Sequence, residues 1–156
     1  MAERKATIIA GEVKPRLGTN YPVEHAQRCA TREKRALGDV FGLTQFGVNL
    51  TTLPPGCWSS LRHWHQNEDE FVYVLDGEIT LIDDEGAHLL VPGMCAGFKA
   101  GDENGHHLVN RGTRTAHYLE LGTRMPDELV IYSDVDMKAT REGGTIRTTR
   151  KDGTPY

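Results

Sequence analysis

Residues 63–77 read HWHQNEDEFVYVLDG, and this stretch decides the fold. Its second half is a run of β-branched and aromatic residues, Phe71 to Leu75, that ends at Asp76-Gly77. Such a run, closed by residues typical of turns, indicates a β-strand. Asp-Gly between two β-rich runs also predicts a two-residue hairpin at this point, because glycine accepts the positive φ that the turn requires.

Six further short β-rich runs lie before and after this stretch, and each ends at turn residues that include glycine or proline. They cover residues 43–53, 78–82, 88–91, 95–98, 106–110 and 116–121. Many short strands at this spacing, with no long helical pattern between them, are typical of an all-β sandwich or barrel. We therefore expect one all-β domain, which suits a chain of 156 residues.

Two segments without a clear β pattern flank this region. Prolines and glycines interrupt any regular element near the start, and the chain becomes polar and rich in turn residues after Tyr132. The sequence therefore predicts an N-terminal arm at residues 1–38, a barrel at 39–132 and a C-terminal arm at 133–156.

The charge balance bears on the class of partner. The chain has 18 lysines and arginines against 22 aspartates and glutamates, a formal net charge of -4. A nucleic-acid surface needs a concentration of positive charge, so we expect no nucleic-acid partner. A short basic run, residues 32–35, is interpreted as solvated surface.

Location is predicted from hydropathy and from the cysteines. No stretch approaches the ~20 apolar residues that span a bilayer, and the start of the chain lacks the apolar run of a signal peptide. Three widely spaced cysteines, Cys29, Cys57 and Cys95, form neither a metal motif nor a disulfide framework. We expect free thiols in a reducing cytoplasm and no membrane partner.

The chemistry begins with His63 and His65. Residues two apart in a strand project from the same face, so these two imidazoles form half of a metal site. Glu70 lies five residues after His65, and an odd spacing along one continuous strand would point its side chain to the opposite face. The turn-like residues 66–69 interrupt the strand, so Glu70 can return to the same face as the histidines. Glu68 and Asp69 compete for the carboxylate role and are expected to face solvent.

A fourth donor comes from the pair His106-His107. Adjacent residues of a strand face opposite ways, so only one of the two can enter a barrel. Parity alone does not choose between them.

These residues resemble the motifs of the cupins. The first cupin motif has a glycine, five residues, H-x-H, three or four residues, a glutamate, six residues and a glycine. Here Gly56 is followed by six residues, His63-Trp64-His65, four residues, Glu70, six residues and Gly77. The extra residue before His63 is a small departure within a loop.

The second cupin motif approaches through P-x-G and ends on a histidine, three residues and an asparagine. His106 and Asn110 match this ending, and the match selects His106 over His107. The approach departs from the motif, because Lys99 stands where the proline usually lies and Gly101 is four residues from His106. We expect a longer loop at the barrel mouth.

The resemblance, to small single-domain bacterial cupins of the RmlC-like type, covers about residues 40–122. It implies a double-stranded β-helix, also called a jelly-roll barrel, and a homodimer. It also implies one divalent metal ion held by His63, His65, Glu70 and His106. Three imidazoles and one carboxylate suit Fe, Mn, Ni, Cu or Zn, so the metal stays open.

Residues that share the phase of the four donors are predicted to line a cavity for a small-molecule ligand. Val72 and Val74 lie two and four residues after Glu70 and so face the same side of the strand. Leu108 and Asn110 stand in the same relation to His106. Two cations near the motifs could bind an anionic group of the substrate: Arg62 and Lys99. Trp64 alternates with the two histidines and is expected to pack on the outer face.

Three hypotheses for function follow, and none assigns a catalytic residue. The first is a metalloenzyme that acts on a small polar or anionic metabolite, with dioxygenase, isomerase or lyase chemistry. The alternative is a non-catalytic sensor or carrier that uses the same pocket. The third is a metal-free sugar epimerase, which would need an acid and a base facing each other across the pocket.

Overall fold

The computed structural model describes residues 6–156, and within this range short strands make up most of the regular structure. The strands are β1 (Arg16–Leu17), β2 (Glu33–Ala36), β3 (Phe46–Leu53), β4 (His63–His65), β5 (Glu70–Asp76), β6 (Ile79–Asp83), β7 (Gly86–Leu90), β8 (Cys95–Phe98), β9 (His107–Val109), β10 (Ala116–Thr123), β11 (Glu128–Tyr132), β12 (Lys138–Glu142) and β13 (Thr145–Thr149). The predicted all-β class is confirmed.

The helical elements are single turns in the first part of the chain. They are α1 (Val23–Ala26), α2 (Leu37–Val40) and two 3-10 turns, Ala10–Glu12 and Gln27–Cys29. Within residues 6–156, no helix has the length and apolar character needed to cross a membrane.

The strands form two antiparallel layers. One layer is a six-stranded sheet in the order β1-β2-β3-β10-β5-β8. The other contains the three-stranded sheet β7-β6-β9 and the four-stranded sheet β13-β12-β11-β4. These two sheets meet where His63 and His106 exchange backbone hydrogen bonds, which joins β4 to the start of β9. The arrangement is the predicted jelly-roll barrel.

The core lies between the two layers because alternate residues of each strand face inward. On β5, Val72 and Val74 are buried, whereas Phe71 and Tyr73 on the opposite face are 40% exposed. The core cluster draws on both layers: Leu53, Cys57, Val72, Val74, Ile79, Leu81, Leu90, Leu108, Ala116 and Tyr118.

The hairpin predicted at Asp76-Gly77 is wrong. Strand β5 pairs with β10 and β8, whereas β6 pairs with β7 and β9, so the chain crosses between layers at this turn. Gly77 has a φ of 76°, and a Cβ atom there would lie 2.7 Å from the Cα of Ala116. The glycine is required, as predicted, but it serves a crossover and not a hairpin.

The N-terminal segment extends the six-stranded sheet, since β2 pairs with β3. The interpretation of residues 32–35 as solvated surface is wrong for two of them. Arg32 is buried and donates hydrogen bonds to the carbonyls of Gly18, at 2.6 Å, and Ser59. The ammonium of Lys34 lies 2.5 Å from a carboxylate oxygen of Glu120, and these side chains are only 17% and 16% exposed.

The C-terminal part of the chain supports the strand that carries two of the four donors. Strand β11 pairs with β4, and Val130 lies opposite His65 while Tyr132 lies opposite His63. Strands β12 and β13 continue the same sheet outward.

Candidate metal centre

The backbone sets the positions of His63 and His106. His63 donates to the His106 carbonyl at 3.1 Å and accepts from the His106 amide at 2.9 Å. Two residues that exchange both hydrogen bonds lie directly opposite each other in an antiparallel pair, so their side chains project from the same face. His65, two residues beyond His63, joins them on that face.

Glu70 reaches the same point from the opposite layer. It opens β5, where it pairs with Phe98 and Gly122, and its side chain points into the barrel. Residues 66–69 carry the chain from one layer to the other. The parity problem posed by the sequence is therefore solved by a change of layer.

Three imidazole nitrogens face one carboxylate oxygen, Oε2 of Glu70. The Nε2 atoms lie 2.9 Å from this oxygen in His106, 3.4 Å in His65 and 3.6 Å in His63. The ring centroid of His63 is 5.0 Å from those of both other imidazoles. The structure thus brings together all four side chains that the sequence singled out.

Neighbouring groups fix two of the rings. Nδ1 of His63 lies 2.8 Å from the Leu61 carbonyl, which can only accept, so this nitrogen carries the proton. The lone pair of the neutral ring then lies on Nε2, the atom that faces Glu70. Phe98 stacks parallel on His106 with a centroid separation of 3.4 Å and holds the plane of that ring.

Burial and the mutual contacts shift the pKa values in the cluster. Burial alone would raise the pKa of Glu70, but hydrogen bonds with His106 and His63 hold it well below its usual range. Burial lowers the pKa of His65 and of His106. For His63 burial is the largest single effect and acts downward, but the hydrogen bond to Glu70, its negative charge and the hydrogen bond to Leu61 together raise the pKa. The carboxylate is therefore ionised among the imidazoles.

His107 takes no part in this cluster. Its Nδ1 donates to the Ser60 carbonyl at 3.0 Å, and its ring packs edge-on against Trp58 at 4.4 Å. Of the two adjacent histidines, the structure turns His106 into the barrel.

A cavity of about 290 Å³ opens onto the cluster. Besides His65, Glu70 and His106, its walls carry mostly polar side chains and one indole. They are Trp64, Glu68, Leu81, Asp83, Glu85, Ala96, Gly97, Phe98, Lys99, Asp102 and Asn104. Lys99 and Trp64 both border this cavity. Trp64 lies between the two histidines of β4, and its placement on the outer face stays a prediction.

A smaller cavity of about 30 Å³ lies on the inner side of the cluster. Val72 and Leu108 line it, together with His63, Glu70 and His106. Val74, predicted to line the ligand cavity, is fully buried in the core and lines neither space.

Two predicted substrate-binding residues have structural contacts instead. Arg62 binds Asp84 at 2.5 Å and Asp134 at 3.0 Å, and it lines a different cavity. Asn110 is fully buried, and its side-chain amide closes a turn. Its nitrogen donates to the carbonyls of Leu53 and Arg114, and its oxygen accepts from the backbone amide of Gly112. Neither side chain is free to bind a substrate in the cavity beside the histidines.

Glu68 was expected to face solvent, and this expectation is wrong. It is 7% exposed, accepts hydrogen bonds from Arg141 at 2.6 Å and from the Met125 amide at 2.8 Å, and lies 3.8 Å from Nδ1 of His65. Glu128 likewise holds the amides of residues 66 and 67. No sequence motif marks these partners, because they come from strands far along the chain.

The donor set suits a divalent metal. Its carboxylate is ionised, and three Nε2 atoms converge on one of its oxygens within 3.6 Å. Neutral imidazoles and a carboxylate are the ligands that Fe, Mn, Ni, Cu and Zn accept. His63, Glu70 and His106 offer ligand atoms that all lie within 4.8 Å of one another, so these three side chains fit such an ion. His65 reaches the same carboxylate oxygen at 3.4 Å, but it also groups with Glu68 and Glu128.

Solved structures resemble this one. A sugar phosphate isomerase of the cupin superfamily from Silicibacter pomeroyi DSS-3 is 46% identical, with a TM-score of 0.92 over 96% of each chain. A candidate sugar phosphate isomerase from Acidithiobacillus ferrooxidans ATCC 23270 is 31% identical, with a TM-score of 0.74 over 81% of each chain. A search of curated proteins finds no match.

More distant structures share the fold alone. The polyketide cyclase RemF from Streptomyces resistomycificus is 20% identical, with a TM-score of 0.63 over 76% of this chain and 79% of its own. The Cupin domain family matches residues 49–122 of the sequence. With that match, the jelly-roll fold and 46% identity to a superfamily member over nearly the whole length, this chain belongs to the cupin superfamily.

Proposed function

We propose that this protein is a metal-dependent isomerase of a small, hydroxyl-rich carbonyl compound of the sugar type. The metal would be held by His63, His65, Glu70 and His106. The observation that carries the proposal is the convergence of three imidazole nitrogens on one oxygen of Glu70, next to an open cavity.

The metal would act as a Lewis acid on a substrate oxygen when bound. Its identity among Fe, Mn, Ni, Cu and Zn depends on geometry and supply. The protein's own part is to hold the donor atoms. Leu61 fixes the proton of His63 on Nδ1, and Phe98 fixes the ring plane of His106.

The cavity walls support a small polar substrate. A volume of about 290 Å³ lies at the lower end of the range for ligand sites, roughly 300–1,000 Å³. Asp83, Asp102 and Asn104 offer hydrogen-bond partners for hydroxyl groups, and Trp64 offers an apolar wall. Among the described residues that line this cavity, Lys99 is the one lysine or arginine, so it would meet an anionic group of the substrate.

The choice of isomerase among the three reaction classes rests on the relatives. The 46% identical structure is named a sugar phosphate isomerase, and so, as a candidate, is the 31% identical one. A shared fold would not by itself justify the choice.

The quaternary structure and the location are proposed separately. The outer face of the six-stranded sheet exposes Phe46, Phe71, Tyr73 and Leu75 by 40–45%. Neighbouring apolar side chains exposed to this extent are typical of interfaces, and we propose a homodimer through this face. Its test is the solution mass, with Phe71→Glu as the variant expected to be monomeric. A cytoplasmic location and the lack of a nucleic-acid partner stay predictions from the sequence.

The experiment begins with elemental analysis of protein purified without an affinity tag. We expect about one divalent metal per chain, as a single four-donor site requires. Aldose and ketose phosphates are then followed by proton NMR with the metal-loaded protein. Turnover should cease with a chelator and return with the metal.

Matched variants make this test specific. Glu70→Gln should remain folded and lose both metal and turnover, whereas His117→Gln, on the outer face of β10, should keep both. A folded protein that takes up no metal would overturn the proposal. Saturable binding of a sugar phosphate to the metal-loaded protein without turnover would instead support the sensor or carrier alternative.

A further inference from the structure

A second cavity, of about 720 Å³, lies outside the barrel. It forms where residues 24–31 of the N-terminal segment cross the loop of residues 55–62 and the turn at residues 134–135. We call it the Trp58 cavity, after the indole in its wall. It shares no lining residue with the metal cavity, so the proposed isomerase activity does not account for it.

Arg28 is the notable charge in this cavity. Its guanidinium carbon lies 4.5 Å from the centre of the Trp58 ring, which is held edge-on by His107. This cation–π contact orients the guanidinium but does not neutralise it. Among residues 6–156, no carboxylate oxygen lies within salt-bridge distance of Arg28.

The other charged groups of the Trp58 cavity already have partners. Arg62 donates to both Asp134 and Asp84. Glu24 lies 3.9 Å from His25, and it is one of two carboxylates in this wall, the other being Asp134. Arg28 therefore remains as a planar, permanently charged donor, the type of group that binds carboxylates through paired hydrogen bonds.

The rest of the wall is largely apolar. Pro55, Cys57, Leu61 and Val135 contribute to it, and Cys57 and Leu61 are buried. The volume lies within the usual range for small-molecule sites, roughly 300–1,000 Å³, and such sites combine apolar walls with a few polar groups that orient the ligand. One unpaired cation over an indole, beside this wall, has the composition of a site for an amphipathic anion.

We propose that the Trp58 cavity binds a small organic anion, with its carboxylate on Arg28 and its apolar body against Leu61 and Val135. This site is separate from the metal centre and does not depend on the proposed isomerase activity.

The two tryptophan side chains can report which cavity a ligand occupies. It has two tryptophans, of which Trp58 lines this cavity and Trp64 lines the metal cavity. In protein labelled with ¹⁵N-tryptophan, each indole N–H gives one NMR signal, and Trp64→Phe assigns the remaining signal to Trp58. A ligand is thus located by the signal that it moves.

The probe is 2-naphthoate, an aromatic carboxylate, and its uncharged partner is 2-naphthol. We expect 2-naphthoate to shift the Trp58 signal saturably, to leave Trp64 unmoved and to bind about tenfold more tightly than 2-naphthol, because its charge adds a charge-assisted hydrogen bond. Arg28→Gln should weaken 2-naphthoate about tenfold and leave 2-naphthol unchanged. Glu24→Gln should strengthen 2-naphthoate, and Lys99→Gln, in the other cavity, should have no effect.

Four results would overturn the proposal. The Trp58 signal could fail to shift saturably, Arg28→Gln could bind 2-naphthoate as well as the wild type, or Trp64 could shift instead, which would place the probe in the metal cavity. A Trp58 signal that depends on protein concentration but not on the probe would likewise count against it, since a second copy would then cover the cavity. Because the readout is binding, with or without metal, it succeeds or fails independently of any turnover.

Discussion

The metal cavity and the Trp58 cavity are built from neighbouring residues but differ in the charged side chains that line them. His106 turns into the first, while His107 packs on the indole of the second. Five carboxylates and one lysine line the first, whereas two arginines and two carboxylates line the second. Adjacent residues of an extended chain project to opposite sides, so a single strand serves both. A motif that identifies one cavity therefore says little about the other.

The largest expected effect comes from substituting the two adjacent histidines, His106 and His107, which belong to different sides of the strand. His106→Ala should lower the affinity for a divalent metal at least about 100-fold, since even outer partners of metal ligands are worth 10–100-fold. His107→Ala should leave that affinity unchanged and alter the environment of Trp58. Competition with a chelating dye measures the first effect and tryptophan fluorescence the second. Equal metal affinity in the two variants would contradict the assignment of His106.

Substitution of Asn110 distinguishes a structural role from the substrate-binding role predicted for this residue. Asn110→Ala removes three buried hydrogen bonds, and the backbone groups left behind lose their partners. We expect the free energy of unfolding to fall by about 2–3 kcal/mol in urea titrations. Lys99→Ala, on the rim of the metal cavity, should change it by less than about 0.5 kcal/mol. A stable Asn110→Ala variant with weakened substrate binding would restore the substrate role predicted from the sequence.

On the Trp58 side of the molecule, the free energy of unfolding should depend on pH through Cys29, which is adjacent to Arg28 in the sequence. Burial raises the pKa of the Cys29 thiol from 9.0 to about 11. The folded state thus keeps the thiol protonated, and this stabilisation is complete below pH 9 and lost as the pH rises toward 11. The difference in unfolding free energy between wild type and Cys29→Ala should shrink over that interval. A difference that is constant with pH would show that the thiol stays unshifted.

The smallest effect concerns Arg62, which borders the Trp58 cavity. Its partners Asp84 and Asp134 are 59% and 60% exposed, so each ion pair is worth about 0–1 kcal/mol. Arg62→Gln should cost about 1 kcal/mol or less in unfolding free energy and leave metal affinity and turnover unchanged. A large loss of turnover, with the metal retained, would place Arg62 in the substrate site after all.

The sequence was sufficient where the signal is local. The run Cys95 to Phe98 is a strand with the same bounds as predicted, and the four candidate ligands that spacing and motif indicate do meet at Glu70. Sequence analysis failed where residues far apart in the chain decide whether a side chain is buried. Lys34 is only 17% exposed because it pairs with Glu120, two strands away in the same sheet, and Glu68 is buried because Arg141 reaches it from β12.

The Asp76-Gly77 turn shows the same limit at close range. The residues demand a tight turn with positive φ, and Gly77 adopts one at 76°. A turn sequence does not record whether the following strand pairs with the preceding one. That depends on which sheet buries the apolar face of β6, and the facing layer offers its partners β7 and β9.

By itself, the sequence determined the all-β class, the positions of the seven strands β3 and β5 to β10, and the four candidate ligand types, because side-chain alternation and ligand chemistry are properties of short stretches. Only the tertiary structure decided that Glu70 meets the histidines from the opposite layer, and that Asn110 and Arg62 hold the fold. It alone also created the Trp58 cavity, whose wall joins three segments far apart in the chain. Burial and charge pairing are set by neighbours in space, and a linear pattern does not contain them.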